Sequence, residues 1–167
     1  MENKLSPNDP IIAWANEISP YCKNMDYEKV LSIDKKIWDE LEEPKLSQEL
    51  AFHVLLNIVI VYITLNEFES AQYWGNILDK YNYVESGRFD SGEKDYFVGI
   101  VYFERKEYQK AFEYFSNALP FDEFITLIYP SGSSKSSAML SSLMNGSALR
   151  TRIVIPLFSS FLSAFLS

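Results

Sequence analysis

The clearest hydrophobic pattern in the chain runs from Tyr108 to Leu119. There Tyr108, Ala111, Phe112, Phe115, Ala118 and Leu119 fall at i, i+3, i+4, i+7, i+10 and i+11, one apolar stripe at helical spacing. Gly92 to Leu119 as a whole reads as two helices facing each other across a tight turn at Arg105-Lys106-Glu107. A lone helical hairpin cannot cover its own apolar face, so further copies are expected. Two precede it: Tyr102 has counterparts at Tyr62 and Tyr21, offsets of 40 and 41, and by the same offsets Tyr108 maps to Phe68 and Tyr27, and Ala111 to Ala71 and Val30. The pattern predicts an all-α chain with hairpins at about 11–41, 48–81 and 92–119. Asp26, Ser47 and an Asp90-x-x-Glu93 capping box are placed to start helices. Pro20 is expected to end or kink the first helix near Ser19. Val54 to Leu65 is apolar enough, and β-branched enough from Ile58 to Thr64, to suit a buried strand. Its length and register favour a central helix packed on both sides. The partner helix, Phe68 to Tyr81, would turn Phe68, Ala71, Gln72, Gly75 and Leu78 inward.

Asp95, Val98, Gly99 and Tyr102 stand where the pattern W-x2-L-G-x2-Y has its fixed positions, and Ala111 with Phe115 fits the following A-x3-F. The middle copy has Leu55, Ile58, Val59, Tyr62 and Ala71, with Gly75 at an aromatic position. The first keeps Trp14 and Tyr21 but has Glu17 at an apolar one. Residues 11 to 119 thus resemble the tetratricopeptide-repeat family, with a period of 40 and longer connectors at Trp38–Lys45 and Asp79–Gly92. The resemblance implies about three antiparallel hairpins stacked as a right-handed solenoid over residues 1–124, with Gly99 and Ala111 letting helices approach closely. It also implies a concave groove made by the first helix of each hairpin. That groove would display Ile12, Ala15 and Ser19, then His53, Leu56, Asn57 and Ile60, then Glu93, Tyr96, Phe97 and Ile100. Leu56, Ile60 and Ile100 read equally well as core between hairpins. Asn57, an amide in an apolar run, needs hydrogen-bond partners, either a bound peptide or an internal turn. Only Asn57 matches the set that clamps a terminal carboxylate in chaperone-binding members, which argues against that ligand.

Charge sharpens the partner. The net charge is −8, but all 23 acidic residues and only 12 of the 15 Lys and Arg lie at or before Glu123, so that body holds −11. Such a surface disfavours nucleic acid and suits a basic or neutral protein. Cys22 is the one cysteine, so no internal disulfide forms, and the first ten residues lack the basic and apolar regions of a signal peptide, which points to the cytoplasm. Residues 125–167 form an atypical tail, with 12 serines among the 37 residues from Ser131 on and an apolar end. It reads as packing on the last hairpin, as a membrane-surface segment, or as the product of a non-native reading frame. Within it, Phe124 to Leu143 has the order of a phosphate-binding loop, but Tyr129 and Ser134 replace the two glycines that G-x4-G-K-S requires.

Candidate chemistry is sparse. His53 is the one histidine; a triad would have to join it to Cys22 or a serine on helices of different repeats, and it reads instead as a partly buried helix histidine, with Cys22 a small apolar filler. No C-x2-C or H-x3-H pair suggests a metal, and no cofactor is implied. The sequence therefore points to a non-catalytic protein-interaction module. The alternative is a membrane-associated or nucleotide-linked protein that depends on the tail.

Overall fold

At residues 24–26, 65–67 and 105–107 the chain reverses through one and the same backbone arrangement. The structure, a computed structural model, describes residues 9–88, 90 and 92–118. In each turn the last amide, of Asp26, Glu67 or Glu107, donates to the carbonyl of Tyr21, Tyr62 or Tyr102 at 2.9 Å. The amide before it, of Met25, Asn66 or Lys106, donates to Cys22, Ile63 or Phe103 at 3.1, 3.0 and 2.9 Å. Together these bonds satisfy carbonyls that the end of a helix leaves open. The middle residue must be left-handed, and Met25, Asn66 and Lys106 have φ of 57°, 59° and 65°. None is glycine, so each turn holds roughly 1–2 kcal/mol of backbone strain that the packing around it offsets.

The helices so joined are α1 (Pro10–Lys23), α2 (Tyr27–Glu40), α3 (Glu49–Thr64), α4 (Phe68–Leu78), α5 (Tyr83–Ser86), α6 (Glu93–Glu104) and α7 (Tyr108–Asn117). The described residues contain no strand, so the fold is all-α. α1 packs on α2, α3 on α4 and α6 on α7. The three pairs meet through α3, which touches α1, α2, α4 and α6. The long connectors are not bare loops: a 3-10 turn at Lys45–Ser47 fills the first and α5 the second, and the Asn82 amide donates to the Leu46 carbonyl at 2.9 Å to join them.

Every residue of α3 from Ala51 to Ile63 is buried. A helix apolar all round belongs in an interior, and this one carries the core, with Phe52, Leu55, Leu56, Ile58, Val59 and Val61 almost wholly withdrawn from water. Its β-branched residues do not make it a strand, because the described residues offer no edge with which a buried strand could pair its backbone.

Local signals resolved differently from expectation at three places. α1 runs through Pro20 to Lys23, because Pro20 and Asn16 both lie on its exposed side, where water can serve the carbonyl that loses its donor. Ser47 does not cap α3; its hydroxyl donates to Pro44 within the 3-10 turn, and the helix starts from Gln48. The box at Asp90 and Glu93 is not formed either. Asp90 accepts from the Gly92 amide at 2.9 Å and Glu93 turns to Arg88 instead. Gly92 itself, at φ 77°, leads into α6 so close to the end of α7 that an added Cβ would lie 2.9 Å from the Ala118 Cα. Asp26 does cap α2, accepting from the Lys29 amide at 3.2 Å. The tail at 125–167, with the loop-like stretch from Phe124 to Leu143, lies outside the described residues.

The last hairpin is closed by the contact expected of Gly99. A Cβ there would lie 2.7 Å from the Phe115 ring, whereas one at Gly75 would meet only Val98, at 3.7 Å. We expect Gly99→Ala to destabilise the protein by about 1–3 kcal/mol through overpacking, and Gly75→Ala to stabilise it by about 0.5–1 kcal/mol through helix propensity, both read from urea unfolding.

Candidate functional site

Seven of the eight residues expected along a groove, His53, Leu56, Asn57, Ile60, Glu93, Tyr96 and Phe97, are buried, and Ile100 is partly exposed. Ala15 and Ser19 are buried as well, while Ile12 is half-buried. Because α1, α2, α4 and α6 close around α3, its side chains have no solvent-facing side on which to form a groove. Tyr96 and Phe97 of α6 enter the same core, Tyr96 with its ring 6.2 Å from that of Phe115. These positions are therefore seam between helices as they stand.

Two polar clusters are set into that seam. In the first, the Trp14 indole donates to Asp34 Oδ1 at 2.8 Å and the Asn57 amide to Asp34 Oδ2 at 2.6 Å, so one carboxylate ties α1, α2 and α3 together. Asp34 is 0% exposed. Burial pushes its carboxyl up to about 7, against the two hydrogen bonds, which favour the ionised form. Burial, reinforced by Asp34, also pushes the nearby Cys22 thiol up to about 12, which leaves it protonated and unreactive at neutral pH.

The second cluster centres on Arg88, whose guanidinium lies 4.2 Å from the centroid of the Phe52 ring. Its Nη1 reaches Glu49 and His53 Nε2, both at 3.2 Å, and its Nη2 reaches Glu93 at 3.4 Å. Arginine only donates, so His53 Nε2 accepts and the imidazole carries its proton on Nδ1. Burial, aided by Arg88, pushes His53 down to about 3. A neutral imidazole whose facing nitrogen is already engaged is poorly suited to act as a base near pH 7. Burial also lifts the Glu93 carboxyl to about 7 against the pull of Arg88. Phe52 also meets Tyr81 edge-on at 5.0 Å and Tyr83 at a tilt at 5.8 Å. Among the described residues no three His, Cys, Asp or Glu side chains gather as a metal site. No described helix is long and apolar enough to cross a membrane.

Among the described residues the exposed large apolar side chains are Met25, Leu65 and Val84, which stand apart in turns and a connector, and the aromatic Tyr73, Tyr108 and Phe112. Tyr108 and Phe112, one turn apart on α7, are 59% and 65% exposed, and Phe103 meets Tyr108 edge-on at 5.6 Å. A second group crosses from α2 to α4: Trp38 meets Trp74 at 6.3 Å, and Trp74 meets Tyr73 at 5.5 Å, both edge-on, with the two tryptophans half-buried against the core. Tyr73 is 63% exposed. Sequence reasoning treated Trp38 only as the start of a connector. The signal was there: Trp38 is followed directly by Asp-Glu-Leu-Glu-Glu, a bulky aromatic at the edge of a charged run. No family model, curated protein or solved structure matches the chain.

Asn57→Ala should cost roughly 1–3 kcal/mol in urea unfolding, because it strips a hydrogen bond from a buried carboxylate. A second expectation concerns pH. In the fold, Asp34 and Glu93 keep their protons up to about pH 7, well above the 3.8 and 4.5 ordinary for these groups. Folding therefore takes up protons between about pH 4 and 7, and stability falls as pH rises through that window. His53 acts in the opposite sense, because it stays neutral in the fold down to about pH 3 while the unfolded side chain charges near 6.5. Its contribution is lost as pH drops from about 6.5 towards 3. Asp34→Asn should flatten the decline between pH 5 and 8 by up to roughly 3 kcal/mol, whatever constant offset the amide introduces.

Proposed function

We propose that the chain is a tetratricopeptide-like array of helical hairpins that binds a protein partner and carries out no chemistry of its own. The observation that carries this reading is the recurrence of one turn, with the same two backbone bonds, at Met25, Asn66 and Lys106, spaced by the 41 and 40 residues that separate the sequence copies. A chain that repeats a hairpin, and packs each hairpin on the next through its first helix, builds an extended surface and not a pocket. Supporting it is the distribution of side chains. Three of the buried titratable groups, Asp34, His53 and Glu93, tie helices to one another, while Tyr73, Tyr108 and Phe112 on the second helices are exposed, and Tyr and Phe are types enriched at protein interfaces.

The partner-facing surface on this reading is the outer face of the second helices. A groove of first helices would require Leu56, Tyr96 and Phe97 to leave the core. An adaptor, a regulator and a toxin-immunity protein are each compatible with such a surface, and the acidic body favours a basic target through steering.

The test is photo-crosslinking in the native cell, with a benzophenone amino acid placed singly at positions 73, 112 and 97 of the full chain. A discrete protein adduct from 73 or 112, and none from the buried 97, is the expected result. An adduct from 97 alone would move the interface into the first-helix groove. Absence of any protein adduct at all three positions would sink the interaction reading.

A further inference from the structure

The row Trp38–Trp74–Tyr73 crosses the junction between the first and second hairpins, since Trp38 closes α2 and the other two belong to α4. Directly after Trp38 come Asp39, Glu40, Glu42 and Glu43, all exposed. Of the cations nearest in sequence, Lys36 is exposed, whereas Lys35 and Lys45 are engaged elsewhere. Lys35 Nζ lies 2.6 Å from the Tyr62 hydroxyl. Lys45 Nζ donates to the carbonyls of Trp38 and Asp39 at 2.8 and 3.3 Å, covering the end of α2. Among the described residues, the one ion pair these four carboxylates make is the solvent-exposed contact between Glu40 and Lys36, 3.9 Å long. The outer rim of the aromatic row is thus negative and largely uncompensated.

The Trp38 ring already takes a cation in this fold, with Lys45 Nζ 5.1 Å from its centroid. Indole faces attract ammonium and guanidinium groups, Arg above all, and a neighbouring carboxylate strengthens the attraction. The pair of exposed aromatics on α7 has no comparable charged border that would say what covers it.

We propose that the aromatic row on α2 and α4, with the acidic run from Asp39 to Glu43 beside it, is the docking surface for a basic segment of a protein partner, one that alternates Lys or Arg with apolar side chains. Arg or Lys would lie against Trp38 and Trp74 and pair with the carboxylates, while the apolar residues cover Tyr73. This rests on the protein-binding reading and specifies the chemistry of its partner.

The chain's three tryptophans give a direct readout, because Trp14 is buried and hydrogen-bonded to Asp34 whereas Trp38 and Trp74 belong to the row. The full chain, labelled with nitrogen-15 at its indoles, is titrated with the peptide Ac-RLRLRLRL-amide and separately with Ac-ELELELEL-amide. The expected result is saturable movement of the Trp38 and Trp74 resonances with the arginine peptide, none for Trp14, and none with the glutamate peptide. Affinity should fall about tenfold in Glu42→Gln/Glu43→Gln and in Tyr73→Ala, and again when salt is raised to about 0.5 M. Both variants change exposed positions, so unfolding does not explain a loss. No movement with the arginine peptide, equal movement with both peptides, or unchanged affinity in the two variants would overturn the proposal. If position 112 still crosslinks a protein in cells, the interaction reading survives that failure.

Discussion

A helix that is apolar on every side cannot be left beside water, and the rest of this molecule is arranged by having to enclose one. α3 is touched by α1, α2, α4 and α6, and thirteen consecutive residues of it are buried. The hairpin turns, identical in their backbone bonds, bring partner helices back alongside; the 3-10 turn and α5 cover the approach to its first turn. Burying a side chain such as Leu55 or Phe52 contributes about 1.5–3 kcal/mol each, which is ample to hold three non-glycine residues in left-handed turns.

The same enclosure decides where polarity is tolerated. Asn57 sits in the middle of that apolar helix and would be costly without a partner. Asp34 supplies it, and Trp14 holds the other oxygen, so the register between the first two hairpins is tied to one carboxylate. Arg88 plays a comparable part on the other flank, joining Glu49 and His53 of α3 to Glu93 of α6. On the outside of α4 and α7 a further link is made by Asp79, which accepts from Lys94 of α6 and from the Tyr114 hydroxyl of α7, at 3.1 and 3.0 Å. Polar groups thus join helices to one another both in the interior and at the surface.

The parts of this arrangement legible in the sequence were those set by local chemistry. The tyrosines at 21, 62 and 102 marked the three turns, Gly99 marked the tight approach to Phe115, and the length of the apolar run marked α3 as central. What could not be read was anything that depends on how many neighbours a helix acquires. Leu56, Tyr96 and Phe97 have the same spacing whether they line a groove or a seam, and only the closure of four helices around α3 distinguishes the two. Asp34 does not stand out in the sequence, because nothing near it announces Trp14 or Asn57, 20 and 23 residues away. Arg88 and Glu93 were similarly obscured, since a capping box at Asp90 explained Glu93 without reference to a cation in the connector.

If enclosure of α3 is the constraint on which the fold depends, its amides should be the last to open. Native-state hydrogen exchange on the full chain measures this directly. The account predicts that amides from Phe52 to Ile63 exchange only through global unfolding, with an opening free energy equal to that from urea denaturation, while α7 and the ends of α1 open at lower cost. Exchange of the α3 amides as fast as those of α7 would contradict it.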